Sequence, residues 1–403
     1  MSKRDPDWIC CQLGAREHYA VARALHQRGA LRLLLTDAWV WPTNPLGSVK
    51  PGLRARFHRD LSAANVHAAN ARNIAFEVRA RLARLRNWPL MIARNEWFQK
   101  VAVARLSRTE PIHTPLTLMA YSYAALEIFK FARARGWRTV LSQIDPGPQE
   151  ERIVASLYEQ DRVHQGNWQP PPQRYWANWR EECALVDRIV VNSQWSHAAL
   201  VAEGIPAAKI KVVPLAFEER ECLQPFQREY PAEFTFARPL RALFLGQINL
   251  RKGVGPLFDA IRLLRGKPIE FTFVGPTQIS IPSDLYDNPQ IRWIGSVPRR
   301  EATRFYQDAD VFLFPTFSDG FGLTQLEAQA WKLPIIATNC CGDVVKDGEN
   351  GWLLSEITSN MIAVTICRLL AEPNLLQKFS TDSFPAEQFS LAHVGQQWLQ
   401  VFD

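Results

Sequence analysis

No stretch of this 403-residue chain stays apolar for long. Runs such as "VFLFP" and "LPIIAT" stop far short of the roughly 18 residues a membrane span needs. The opening "MSKRDPDWICCQLG" carries charge but no apolar h-region of about 7–15 residues, so a cytoplasmic protein is expected rather than a secreted one. Seven cysteines include two adjacent pairs, Cys10–Cys11 and Cys340–Cys341, yet there is no CxxC and no metal-ligand spacing. That pattern fits reduced thiols and excludes a disulfide scaffold or a zinc site. No DxD follows a strand-like run, so the usual carboxylate pair for a metal–diphosphate is missing. Internal repeats and low-complexity tracts are absent too.

What is present is an ordinary globular balance, 47% hydrophobic and 22% charged, in a chain long enough for two domains. "DWICCQL" reads as a strand, "EHYAVARALHQRG" as an amphipathic helix closed by Gly29, and "LRLLLTDAW" as a second strand. An Arg-rich helical region is expected from about 50 to 108. Strands return at "TVLSQI", "RIVVNS" and "KIKVVPLAF", and the proline cluster of "QGNWQPPPQRYW" marks a loop. After a proline-interrupted linker the alternation is cleaner: "LRALFLG", "IEFTFVG", "IRWIG", "DVFLFPT", "LPIIAT" and "GWLL" are strands with helices between most of them. Near-continuous apolar strands separated by helices imply parallel sheets covered on both faces. The expected fold class is α/β, two Rossmann-like doubly wound domains facing across a cleft. Their expected bounds are 1–222, a linker 223–239, a second domain 240–385, and a final helix in 386–403 packing back on the first domain.

Ligands of such sheets sit where strands run into helix N-termini. "SDGFGLTQLEAQAWKLPIIA", residues 318–337, lies at one of these places. Gly320 and Gly322 would let backbone approach a ligand, and the unpaired N–H groups of the following turn suit a phosphate. Asp319 and Glu327, eight residues apart, are poor phosphate ligands but good acceptors for sugar and ribose hydroxyls. A second strand–loop–helix junction, "FLGQINLRKGVGPLFDA", brings Gly246 and the cations Arg251 and Lys252, which can neutralise a diphosphate without a metal. The combination suggests a nucleotide-sugar donor.

"GQINLRKG", then "PTFSDGFGLTQLEAQAWKLPIIAT" and "VVKDGENGWLL", resembles the C-terminal half of retaining glycosyltransferases of family 4, which have the two-Rossmann GT-B fold. The family pattern of two glutamates with seven residues between them is matched by Asp319 and Glu327, the first acid being a methylene shorter. The resemblance implies that Asp319 and the backbone of Gly320, Phe321 and Gly322 hold the donor sugar. It also implies that Glu327 holds the ribose, that Leu323 and Thr324 bind phosphate through their N–H groups, and that Arg251 and Lys252 hold the diphosphate. On the acceptor side, Gly14 matches the family's glycine loop by position. Ile144–Asp145 stands where many members have His-Asp.

The implied activity is transfer of a sugar from a nucleotide diphosphate to an acceptor hydroxyl on a glycan, glycolipid or small molecule, with no metal and no cofactor. A non-catalytic or partner-dependent nucleotide-sugar-binding protein of this fold, or an epimerase, are the competing readings. Trp168, Trp176 and Trp179, near the proline-rich loop, are candidates for an acceptor cleft or simply for core. The net charge of +7 is concentrated in residues 50–108, with eleven arginines and two lysines against three acids. Val78, Leu82 and Leu85 form an apolar stripe there, with Arg79, Arg84 and Arg86 mainly off it. Such a face is either solvated or laid on an anionic membrane. Nucleic acid is not an expected partner, because no recognition module appears.

Overall fold

The computed structural model describes residues 7–44, 51–109, 116–161, 163–164, 166, 168–218 and 226–403. Residues 1–6 of the N-terminal stretch, Lys50, Gln165 and Asn167 of the proline-rich loop, and 223–225 of the expected linker lie outside them.

Among the described residues there are two all-parallel sheets. The first has the order β3-β2-β1-β4-β5-β6-β7. Its strands are β1 (Trp8–Gln12), β2 (Leu31–Thr36), β3 (Val66–Ala68), β4 (Thr117–Tyr121), β5 (Arg138–Ser142), β6 (Arg188–Val191) and β7 (Ile210–Val212). Helices α1 (Ala20–Gln27), α2 (Asn70–Leu82), α3 (Asn87–Leu106), α4 (Leu126–Ala134), α5 (Pro148–Gln160), α6 (Gln173–Leu185) and α7 (Gln194–Ala202) surround it. Burial on both faces explains the continuous apolar strands: Ile9 and Cys11 join one core layer, Trp8 and Cys10 the other. Adjacent cysteines therefore point to opposite faces, and burial pushes both thiols up.

Two departures from the sequence expectation stand out in this domain. β4, the central strand that pairs with both β1 and β5, was not anticipated. The region expected to be helical throughout contains β3, an edge strand paired with β2.

The second sheet runs β10-β9-β8-β11-β12-β13. It comprises β8 (Leu240–Leu245), β9 (Ile269–Val274), β10 (Ile291–Gly295), β11 (Val311–Phe314), β12 (Ile335–Ala337) and β13 (Gly351–Leu353). Its helices are α8 (Val254–Leu263), α9 (Arg299–Asp308), α10 (Leu323–Ala330), α11 (Ser359–Ala371) and α12 (Pro373–Asp382). The described residues before β8 are tied to this sheet rather than left as a free tether. Buried Arg228 donates to the carbonyls of Tyr306, Ala309 and Trp331, and Phe234 enters the second core.

The last helix, α13 (Leu391–Leu399), lies on α1 of the first domain. Trp398 meets Trp8 edge-on at 6.2 Å, and Arg28 donates to the Ala392 carbonyl at 2.7 Å. Where the chain leaves the first domain it touches its own return: the Phe217 N–H donates to the Phe389 carbonyl at 2.7 Å.

Candidate active site between the two sheets

The loop between β11 and α10 carries the densest chemistry. Gly322 adopts φ +82° and ends the loop in a left-handed turn, so that α10 begins with no side chain capping it. The N–H groups of Leu323 and Thr324 thus open a helix whose first turn has no intrahelical acceptor. Gly320 serves a purpose the sequence reading did not foresee. A Cβ there would collide with the carbonyl of Ile144, so the missing side chain makes room for the first domain's backbone.

Arg251 and Lys252 sit in a short turn (Leu250–Lys252) capped by Asn249, immediately before α8. Gly246, at the end of β8, has open space around its Cα. Lys252 forms an ion pair with Asp319 and lies 5.0 Å from the centre of the Phe314 ring. Arg251 donates to the Ser318 carbonyl at 2.8 Å and reaches Glu150 at 3.3 Å. Burial pushes the Asp319 carboxyl up, but the charges of Lys252 and Arg251, with hydrogen bonds from Lys252 and the Phe321 N–H, outweigh it and hold the group below its usual range. The two cations are therefore matched by carboxylates, and Asp319 is ionised.

The first domain closes on this loop through α5 and α7. Glu150 accepts from the Ser318 hydroxyl at 2.8 Å, and the Trp195 indole N–H donates to the same hydroxyl at 3.1 Å. Burial, with Asp145 and Asp319 nearby, pushes the Glu150 carboxyl up to about 7 against the pull of Arg251 and Ser318. Asp145 lines the same space, its Oδ1 accepting from the Tyr123 hydroxyl at 2.5 Å, the Gln143 amide at 3.0 Å and the Gly147 N–H at 2.9 Å. Between the domains lies a cavity of about 530 Å³, bounded by Asp145, Glu150 and Arg251 among others. Trp168 and Trp176 line it, whereas Trp179 is core, its indole N–H held by Gln143.

Two expected residues stand apart from this cluster. The Gly14 N–H donates to Asp37 at 2.8 Å, and Asp37 is also paired with Arg56, so the glycine loop is committed to its own domain. Glu327 takes Arg299 at 2.8 Å and the Tyr306 hydroxyl at 2.9 Å, both on α9. It borders a separate cavity of about 50 Å³ with Phe217 and Glu218, not the large one.

Sequence reading missed Glu150, Ser318 and Trp195. The one available signal, "DPGPQEE", reads as a helix start. Pro148 occupies the first turn with Glu150 and Glu151, where acids are expected for dipole reasons alone.

Residues 239–372 match the model of the family described as Glycosyl transferases group 1. The amylovoran biosynthesis glycosyltransferase AmsK of Erwinia amylovora is 26% identical over 196 residues, 44% of this chain and 46% of that protein. The capsular polysaccharide biosynthesis glycosyltransferase CapM of Staphylococcus aureus is 31% identical over 142 residues, 33% of this chain and 37% of that protein. The matches thus span half or less of these relatives' length. Among solved structures, sucrose-phosphate synthase from Thermosynechococcus elongatus superposes with TM-score 0.65 at 16% identity, covering 99% of this chain and 98% of its own. HepE from Anabaena, crystallised with UDP-glucose, gives 0.61 at 14% identity over 98% and 99%. At such identities the likeness establishes the GT-B fold.

Proposed function

We propose that this chain, whose second domain carries the match to group 1 glycosyl transferases, moves a sugar from a nucleoside diphosphate to an acceptor hydroxyl with retention at the anomeric carbon. The observation that carries the reading is the Arg251–Lys252 pair facing Asp319 beside the uncapped start of α10. Cations for a diphosphate, a hydroxyl acceptor for a sugar and free N–H groups for a phosphate meet at one end of one sheet.

The diphosphate would displace Asp319 and Glu150 from Lys252 and Arg251, and the freed Asp319 would accept from a hydroxyl of the sugar. As the bond from the anomeric carbon to the phosphate oxygen breaks, charge grows on that oxygen. It is met by Arg251, Lys252 and the N–H groups of Leu323 and Thr324. The acceptor oxygen forms its bond on the face the phosphate leaves, and its proton passes to the departing phosphate. The step balances with no covalent enzyme intermediate. Glu327 would hold the ribose, as the resemblance implies, once Arg299 yields it.

A peripheral contact with anionic membrane belongs to the same reading. Val78 is 53% exposed and Leu82 78% exposed on α2, with exposed Arg79, Arg81, Arg84 and Arg86 around them. No described helix is long and apolar enough to cross a membrane.

Binding comes first in testing this. A thermal-shift screen of nucleoside diphosphates and their sugars should single out one base, because a specific ligand stabilises the folded state. Transfer is then measured with that donor. No stabilisation by any diphosphate, with the protein folded, would end the proposal.

A further inference from the structure

We infer that the cavity between the domains is a subsite for a neutral pyranose ring, so that the acceptor ends in an uncharged sugar. The inference rests on the glycosyltransferase reading above and narrows its acceptor.

Its walls supply two stacked aromatic pairs from different parts of the first domain. Tyr123 and Tyr175 lie 4.7 Å apart at 20°, and Tyr158 and Trp168 lie 5.4 Å apart at 14°. Trp176 stands edge-on to Tyr175 at 5.1 Å, and Trp88 meets the same ring at 4.9 Å. All six side chains line the cavity. An aromatic face carries negative quadrupole charge, which complements the weakly positive C–H face of a pyranose.

The polar part of the lining points to hydroxyls rather than anions. Asp145, Glu150 and Glu151 face the space, with Arg251 as the counter-charge already shared with the diphosphate site. Among the described residues the Oε1 atom of Glu151 is buried with no hydrogen-bond partner. A buried acceptor without a donor is costly, and a sugar hydroxyl would satisfy it once the side chain turns that oxygen into the cavity it lines. Burial and the neighbouring carboxylates push the Glu151 carboxyl up to about 7, a sign of crowded negative charge that a phosphate or uronate would worsen. Asn249 and Gln278 of the second domain complete the rim.

The test is saturation-transfer NMR and calorimetry on the full chain, using methyl hexopyranosides, the matching uronates and hexose 6-phosphates. At least one neutral glycoside should bind, with its C–H protons shifted by aromatic rings, and about tenfold more tightly than its charged counterparts. Trp176→Leu should weaken that binding about tenfold, and the isosteric Glu151→Gln should weaken it and reduce the discrimination against anions to under about threefold. Affinity for the nucleoside diphosphate that the screen singles out is measured on the same samples and should not change in either variant. Binding insensitive to Glu151→Gln, equal binding of uronates, displacement by the free nucleoside of the screened donor, or no neutral glycoside bound would each overturn the inference. Intact diphosphate binding alongside such a failure leaves the donor reading standing. Loss of diphosphate binding with the sugar site intact sinks the donor reading instead.

Discussion

Replacing Asp319 with Asn keeps the shape of the side chain and removes one charge from the closed site. That charge is matched by Lys252, which a nucleoside diphosphate would recruit under the proposed reading. The carboxylate would then compete with the diphosphate for one cation, and its loss should leave affinity for the free nucleoside diphosphate unchanged or a few-fold tighter. Transfer should fall, because a charged hydrogen bond to the sugar is worth roughly 1.5–3 kcal/mol, or about 10- to 150-fold in rate. Stability should also fall: breaking a buried ion pair from one side costs about 3–5 kcal/mol. The lower figure applies here, because Lys252 keeps the Phe314 ring at 5.0 Å. The assays are turnover with the screened donor, calorimetry of diphosphate binding, and thermal unfolding. Glu327→Gln is the contrast, and should weaken diphosphate binding and transfer together if it holds the ribose. Diphosphate binding more than about threefold weaker in Asp319→Asn, with transfer intact, would refute the competition and the sugar assignment together.

Replacing both Arg251 and Lys252 with Ala should weaken diphosphate binding by several kcal/mol, at roughly 1.5–3 kcal/mol for each charged hydrogen bond; unchanged calorimetry would remove the phosphate assignment. Transfer should survive EDTA, because the named cations and N–H groups would stabilise the leaving group; loss restored by Mn²⁺ would show that this stabiliser was misplaced. Sedimentation with anionic liposomes should occur at low salt and vanish at high salt, where exposed charges are screened; none at low salt would leave α2 a solvated face. Because the Glu150 carboxyl is raised from about 4.5 to about 7, the folded state holds a proton that the unfolded chain has released in that window. Its contribution is present below about pH 4.5 and lost as pH rises through about 7, amounting to at most about 3 kcal/mol. Glu150→Gln should flatten the fall in melting temperature between about pH 4.5 and 7, and an unchanged slope would contradict the assignment.

How much of this was legible depended on how local the cause was. The second sheet could be read because each strand is a short apolar run closed by Gly, Pro or a helix signal, as in "IEFTFVG" and "LPIIAT". β4 was missed because "PLTLMAYSYAALEIF" runs on as one apolar block from strand into α4, with no period to divide it. β3 has three residues, too few to show alternation. In the site, Arg251, Lys252 and Asp319 could be picked out from strand–loop–helix junctions. Glu150 could not, because its partners Ser318 and Arg251 belong to the other domain. The true neighbour of Gly320 is a carbonyl 176 positions earlier, at Ile144, and no local pattern encodes it. Glu327 is a similar case, for its partners on α9 are 28 and 21 residues away in sequence.

The bond between Phe217 and Phe389 fixes more than a local geometry. The outgoing and returning segments of the chain are tied to each other there, where the backbone passes between the two domains. Phe321, in the loop that precedes α10, rests against Phe389 at 5.8 Å, so that loop is packed on the same tie. A bulky substitution at Phe389 would therefore press on the crossing and on the Phe321 loop together.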